Sequence, residues 1–360
     1  MASIDIVSFD PAAGKDILAD VHGLHFTGKD SSAKRVAYAD WLVSNPVPDS
    51  IYLAAHVDGQ FASFLGFMAR EAVGLGRSFK VALAFGAMTR PEFAGRGLYK
   101  KLAYHGWDEA VRRGFSFCAG YTIRPYVLEM EKRMGWDAIV ASPVMALPLD
   151  VRGVLGKMLP AAAAPLSHLA APANWLARRR IATRVRGMST PTGYSIVRAR
   201  TFSERYDQLN TQLMQGNRVT FAKNSAALNW LYLSVHNPFS YQIAEAHHAG
   251  ELVGFAVGRH MDMMGFDGYG LLDLVALPGH ERVLAPLAAE LIGSALAARP
   301  QVVGALVSAG TPAQAALQEL GLVDSRKRFT LIARQSEANV PSSLWDGANW
   351  DNCWGNNDTV

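Results

Sequence analysis

The chain carries one pattern twice, and this repetition limits its possible folds more than any single motif does. Trp41-Leu42 is followed closely by Asn45-Pro46, and Trp230-Leu231 by Asn237-Pro238. After each comes an apolar run, a small polar turn and a second apolar run with an internal glycine. These are Ile51–His56, Asp58-Gly59-Gln60 and Phe61–Met68 in the first half, then Tyr241–Ala246, His248-Ala249-Gly250 and Leu252–Val257 in the second. Alternating apolar runs across a short Gly-containing turn predict β-hairpins. Each half continues with a strand ending near Pro91 or Pro278. A helical segment follows (Leu98–Arg113, Arg282–Ala298), then a short strand (Phe115–Ala119, Val302–Val307). Each half ends with a helix that runs into Gly135-Trp136 or Gly321-Leu322. Matching landmarks stay 184 to 192 residues apart. A near-constant offset is the mark of a duplicated unit. The expected organisation is therefore two copies of one α/β domain: 1–150, a partly helical linker over 151–192, a second copy over 193–335, and a Trp-rich tail over 336–360.

The bulk numbers agree. At 360 residues the chain is about two domains long. Half of its residues are apolar and 18% are charged, which is enough to build real cores. Its net charge of +4 is mild. It suits small anionic ligands and is no nucleic-acid signature, so nucleic acid is not an expected partner. Cys118 and Cys353 are isolated, so neither a disulfide framework nor a metal site is expected, and a cytoplasmic location is the default. Met158–Ala177 carries no formal charge and precedes Arg178-Arg179-Arg180. Pro160, Pro165 and Pro172 break it, so a membrane-spanning helix is not expected. A packed linker is the first reading, and peripheral membrane contact through 158–186 is the second.

The segment with chemical content is Lys80–Gly120. An apolar strand over Val81–Met88 is stopped by Pro91, and Gly95-Arg96-Gly97 opens a helix whose apolar positions include Leu98, Leu102 and Ala110. Amides at a helix start lack internal partners, and the helix dipole adds positive potential there. The glycines let an anion approach the backbone, and Arg96, Lys100 and Lys101 add charge. No GxxxxGK[ST] is present, and the third glycine of a dinucleotide fingerprint is missing.

Ala94-Gly95-Arg96-Gly97-Leu98-Tyr99 instead resembles motif A of the GCN5-related N-acetyltransferase (GNAT) superfamily, [QR]xxGx[GA]. The likeness continues through a helix, a fifth strand and a second helix to Gly135-Trp136, where the superfamily commonly has Gly-Phe. The resemblance implies tandem GNAT-like domains, each a mixed twisted sheet flanked by helices with splayed central strands. It implies acetyl-CoA or another acyl-CoA as donor. Pantetheine would pair with backbone at Ala87, Met88 and Thr89, and the pyrophosphate would sit on Gly95, Arg96, Gly97, Leu98 and Tyr99. A neutral amine on a small-molecule acceptor would attack the thioester. The tandem form resembles bacterial sugar-nucleotide N-acyltransferases of polysaccharide pathways, which implies a nucleotide-linked amino sugar as acceptor. An amino acid, peptide or aminoglycoside acceptor, and a non-catalytic CoA-binding sensor, remain the alternatives.

Three positions depart from the pattern. Ala94 replaces Gln or Arg, Tyr99 replaces Gly or Ala, and Glu131 stands where many members carry a tyrosine acid. Tyr126 is near but wrongly spaced, and packing explains it better. In the second copy, Pro278-Gly279-His280-Glu281-Arg282 lacks the GxG and brings a carboxylate to the helix start, so no second CoA site is expected. The candidate bases are His25, in HGLHFTG, and Asp273, inside the apolar run Leu271–Leu277; each has a structural role as its rival reading. A water relay is a third route. His56 and His105 are read as structural. The tail tryptophans suit either sugar stacking or pinning of the terminus, and pinning is favoured.

Overall fold

Tight turns with left-handed residues set the strand pairs. Asp58-Gly59 has φ of 49° and 78°, Leu75-Gly76 has 56° and 76°, and Ala249-Gly250 has 51° and 86°. Two successive positive φ values give the turn whose twist matches that of paired strands. The hairpins expected at 58–60 and 248–250 are present, and a third is made by Leu75-Gly76.

The computed structural model describes residues 3–25, 31–158, 171–263, 265–337 and 339–356. In the first part of the chain lie β1 (Ile4–Ser8), α1 (Lys15–His25), α2 (Ser31–Val43), β2 (Ile51–Val57), β3 (Gln60–Gly74), β4 (Arg77–Thr89), α3 (Leu98–Arg112), β5 (Phe117–Thr122), α4 (Pro125–Arg133) and β6 (Asp137–Pro148). Next come α5 (Val151–Met158), α6 (Ala171–Gly187), β7 (Tyr194–Ala199), α7 (Arg205–Gln215), β8 (Thr220–Phe221) and α8 (Ser225–Leu228). The chain continues through β9 (Gln242–His248), β10 (Glu251–Met263), β11 (Phe266–Ala276), α9 (Leu284–Ala295), β12 (Val302–Leu306), α10 (Pro312–Glu319) and β13 (Val323–Gln335). The apolar stretch singled out in the sequence falls largely outside the described residues, over 159–170. Among the described residues no helix is long and apolar enough to cross a membrane.

The elements form two compact units, each discontinuous in sequence. The first comprises Met1–Val140, Met214–Pro238 and Thr330–Trp350; the second comprises Ala141–Leu213, Phe239–Phe329 and Asp351–Val360. In the first, the strand order is β1-β2-β3-β4-β5, then Thr330–Gln335 of β13 antiparallel to β5. In the second it is β7-β9-β10-β11-β12, then Val144–Pro148 of β6 antiparallel to β12. Both are mixed sheets with one parallel pair, β4–β5 and β11–β12. The two orders match strand for strand, so the sequence repeat is a structural repeat. In each, the last strand comes from the other half of the chain.

In the first unit, β2 places Ile51, Leu53, Ala55 and Val57 on one face, where they join Leu65, Phe67, Leu98 and Leu102 in a continuous core. Gly106 of α3 lies against the Phe67 ring, and a Cβ there would collide with it. The opposite face takes α1, whose Val21 approaches Gly86 of β4. In the second unit α9 is buried almost all round its surface, from Leu284 to Ala295.

One contact expresses the repeat within the first unit. The Trp41 and Trp230 rings stack at 4.6 Å, tilted by 3°. Each indole N–H donates to the other's main-chain carbonyl, at 3.0 and 2.9 Å, across 189 residues. Such a reciprocal pair is self-complementary in the way of a twofold contact. Both indoles are buried and both N–H groups are satisfied. Trp230→Ala is expected to cost about 3–5 kcal/mol in urea unfolding. Combined with Trp41→Ala, the loss should fall short of additive, because either change removes the same stack and bonds.

Candidate functional site

The site expected on the Gly-rich turn lies wholly in the first unit. β4 and β5 pair in parallel only from Val81↔Phe117 to Leu83↔Ala119, although β4 runs on to Thr89 and β5 to Thr122. The divergence has a local cause. Opposite β3 the register slips between Phe64↔Met88 and Gly66↔Phe85, which leaves an extra residue in β4. Gly86 sits there with φ 64°, and any Cβ would press on the Phe64 ring at 2.8 Å. A bulge of this kind bends its strand and ends regular pairing. Ala87, Met88 and Thr89 follow it. Their β3 side is occupied: Ser63 Oγ donates to the Met88 carbonyl at 2.6 Å and bonds Thr89 Oγ1 at 2.8 Å. On the β5 side no strand pairs with them among the described residues.

The turn after β4 is fixed at its two ends and open between. Phe93 and Leu98 are buried, whereas Gly95, Arg96 and Gly97 are exposed. Gly95 and Gly97 have φ of 78° and 69°, and a Cβ on either would meet nothing within 4 Å. Gly97 caps α3 without a side-chain bond to the first-turn amides. Among the described residues the amides of Gly95–Tyr99 make no hydrogen bond, so they keep their capacity to bind an anion. The Arg96 guanidinium rests 5.4 Å from the Phe93 ring centre, which holds its charge beside the turn.

Two of the three departures from the superfamily pattern are one feature. The Tyr99 hydroxyl donates a short hydrogen bond to Glu131 Oε1, joining the first turn of α3 to the last turn of α4. Glu131 is only 1% exposed, and its Oε2 has no hydrogen-bond partner. Burial pushes the Glu131 carboxyl above its usual range, against the opposing pull of the Tyr99 hydrogen bond. Burial, then the facing carboxylate, also raises Tyr99. Sequence reading noted both residues separately. Nothing in a 32-residue separation signals that they touch. Around them, Arg334 of β13 lies 3.9 Å from the Trp107 ring centre of α3 and donates to the Met134 carbonyl at the end of α4 at 2.8 Å. Cys118 is fully buried, and burial pushes its thiol up to about 12.

The two candidate bases have different settings. His25 ends α1, and its side chain lies outside the described residues. Asp273, in the second unit, is 0% exposed and accepts a hydrogen bond from Cys353 Sγ at 2.9 Å. That bond holds the C-terminal segment. Asn352 reinforces it by bonding Ser142 and Ser308. In the first unit Trp350 is fully buried, packs edge-on against Phe117 and donates to the Leu344 carbonyl at 2.7 Å. Pinning is thus the geometry seen for these tail residues. Tyr126 is exposed and bonds Arg124. No cluster of three or more metal-ligating side chains occurs among the described residues.

At the matching turn of the second unit, Glu281 Oε1 accepts from the Gly279 amide at 3.0 Å. His280 Nδ1 and the Tyr194 hydroxyl bond at 2.9 Å, and Arg282 donates to the same hydroxyl at 3.0 Å. Burial lowers the His280 pKa, and neighbouring His248 lowers it further. The polar groups at this turn are bonded to one another.

No protein-family model and no curated protein matches the chain. Solved structures match over nearly its whole length at low identity, and what they establish is the fold. A probable N-acyltransferase of Enterococcus faecalis superposes with a TM-score of 0.61 at 11% identity, over 94% of this chain and 73% of that one. A tandem GNAT protein from the clavulanic acid biosynthesis pathway gives 0.57 at 13%, over 94% and 100%. N-myristoyltransferase of Saccharomyces cerevisiae, with bound myristoyl-CoA, gives 0.60 at 11%, over 92% and 83%. The protein has the GNAT fold in tandem form.

The Tyr99–Glu131 pair carries a stability signature. A carboxyl with a raised folded pKa holds its proton longer folded than unfolded. Stability therefore falls as pH rises from the unfolded value towards the folded one, and the penalty persists above both. Glu131→Gln keeps an acceptor for Tyr99 without a charge. Its melting temperature is expected to exceed that of the native chain at neutral pH, with the gap closing as pH falls to about 4. Melts followed by circular dichroism between pH 4 and 8 check this.

Proposed function

We propose that the first unit binds an acyl-CoA at the turn Gly95–Tyr99 and passes its acyl group to the amine of a small acceptor. One observation carries the reading: a bulged strand parts from its parallel neighbour immediately before an uncapped helix start whose amides stand open. A diphosphate fits that turn, because neither glycine position has an atom near enough to obstruct it. The free β5 side of Ala87, Met88 and Thr89 offers main-chain groups to an extended amide-bearing arm. Acyl-CoA is the donor substrate, and its thioester supplies an activated carbonyl.

The chain's part is then to orient and to move protons. Amides of Arg96, Gly97, Leu98 and Tyr99 fix the pyrophosphate, and the β4 backbone aligns the thioester. The amine must reach the carbonyl neutral, so it gives up a proton to a base, to His25 or to a water relay. Asp273, closed from solvent and bonded to Cys353, fits an anchoring role better than proton transfer. The departing thiolate takes a proton. No tyrosine stands at Glu131, so the phenol nearest that position is Tyr99, held by Glu131.

The finer reading, a nucleotide-linked amino sugar as acceptor in the cytoplasm, rests on the tandem organisation and the mild positive charge. The alternative is a CoA-binding sensor that performs no turnover. Release of free thiol from acetyl-CoA with a panel of amines separates the two. Binding without thiol release for any amine would favour the sensor.

Gly97→Asp is expected to weaken CoA by at least about 30-fold in calorimetry, because an unpaired carboxylate would face the diphosphate. Gly97→Asn tolerates the same left-handed backbone and should lose far less. Equal affinities for both variants and the native chain would remove the turn from the cofactor site. In the second unit, Glu281→Ala should leave the stoichiometry at about one CoA per chain, since the remaining turn lacks the GxG backbone.

A further inference from the structure

The second unit contains a cavity that the transfer reaction above does not use. Its volume is about 560 Å³, within the range of small-molecule sites. Strand faces of period two wall it: Val144 and Ala146 of β6, Met261 and Met263 of β10, and Phe329 of β13, with Trp354 closing one side. Glycines lie beneath the two methionines that line it. A Cβ on Gly268, Gly270 or Gly304 would collide with the Met261 or Met263 side chain, so the missing side chains make the space that the methionines share. Methionine is unbranched and adapts to the shape of an apolar guest.

The rim is charged and uneven. Lys327 lines the cavity and has no ion pair among the described residues. The nearest acid along its strand, Asp324, is taken by Arg328, which donates to both carboxylate oxygens at 2.7 and 2.6 Å. Asp262 also reaches the rim, but its Oδ1 accepts the Gly265 amide at 2.8 Å and closes the β10–β11 turn. Ser325, the remaining polar side chain there, accepts the Lys327 amide at 3.3 Å. An apolar chamber with a cation at its mouth complements a molecule with a hydrocarbon tail and an anionic head.

A second observation points to the same ligand class. Val154 of α5 lines the cavity, and α5 is tied to α6 by the Arg152 amide, which donates to Asn174 Oδ1 at 3.0 Å. On α6, Trp175 is 62% exposed and Leu176 41% exposed. The Arg179 guanidinium lies 5.0 Å from the Trp175 ring centre, and Arg180 is exposed beside it. Exposed tryptophan and leucine among arginines form a surface for anionic amphiphiles.

We propose that the second unit binds one anionic single-chain amphiphile, its tail in this cavity and its head group at Lys327. The site belongs to the second unit alone and does not depend on CoA binding by the first.

The test is calorimetry of the full chain with dodecanoate below its aggregation concentration, with hexanoate and with dodecanol. Dodecanoate is expected to bind one to one, with roughly tenfold loss of affinity for every two methylenes removed. Lys327→Glu, an exposed change that leaves the core intact, should weaken dodecanoate at least about tenfold and leave dodecanol unchanged. Ala146→Phe, which fills the chamber, should abolish binding of both, with an unchanged circular dichroism spectrum as its folding control. Equal affinity for hexanoate and dodecanoate would overturn the tail assignment, and indifference to Lys327→Glu would overturn the head-group assignment. No binding of dodecanoate by the native chain, or binding only when it is aggregated, would overturn the site.

Discussion

A single extra residue in β4 decides what the first unit can do. Without the bulge at Gly86, β4 would continue beside β5 and its main-chain groups would be spent on the ladder. With it, pairing ends at Leu83, and the stretch to Thr89 keeps one free edge. The same departure delivers the chain to Pro91 and the open turn before α3. Strand edge and helix start are both sets of unpaired backbone groups, and unpaired groups are what a ligand rich in amides and phosphates requires. The Phe64 ring explains why only glycine serves at the bulge: the close approach and the left-handed φ exclude any side chain.

The repeat, the hairpins and the Gly-rich turn could be read from the sequence because each rests on local rules. Two-residue turns with Asp58-Gly59 or Ala249-Gly250, alternating apolar runs and a proline-stopped strand all announce themselves within about ten residues. Exchange of the last strands could not be read this way. Whether β6 pairs with β12 and β13 with β5 is a choice between distant partners of similar composition, and no local signal distinguishes them. The Tyr99–Glu131 bond is hidden for the same reason, although both residues depart from the superfamily pattern. The cavity was hidden more deeply. Val144 and Ala146 look like ordinary alternation until the register sets Ala146 across from Gly304 and the strands enclose a chamber.

The two copies have diverged in where their polar groups are satisfied. In the first, the turn keeps its amides unbonded among the described residues, and a tight polar pair near it, Tyr99 with Glu131, is set between helices. In the second, Glu281, His280, Arg282 and Tyr194 bond one another or the Gly279 amide. A buried donor or acceptor already paired gains little from a ligand, and an unpaired one gains much. Equal strand orders therefore coexist with unequal sets of bonded polar groups, and the difference lies in a handful of side chains at one turn.

That asymmetry bears on how duplication can produce a new activity. A copy whose turn is closed is free to change elsewhere without disturbing the open turn of the other. In the second unit the changes favour apolar space: glycines on β11 and β12, two methionines on β10, and α9 buried nearly all round. Exchange of β6 and β13 limits how far the copies can drift apart, because each sheet is completed by a strand encoded in the other half. A change in β6 acts on the second unit, and one in the end of β13 acts on the first, so neither half of the sequence evolves alone.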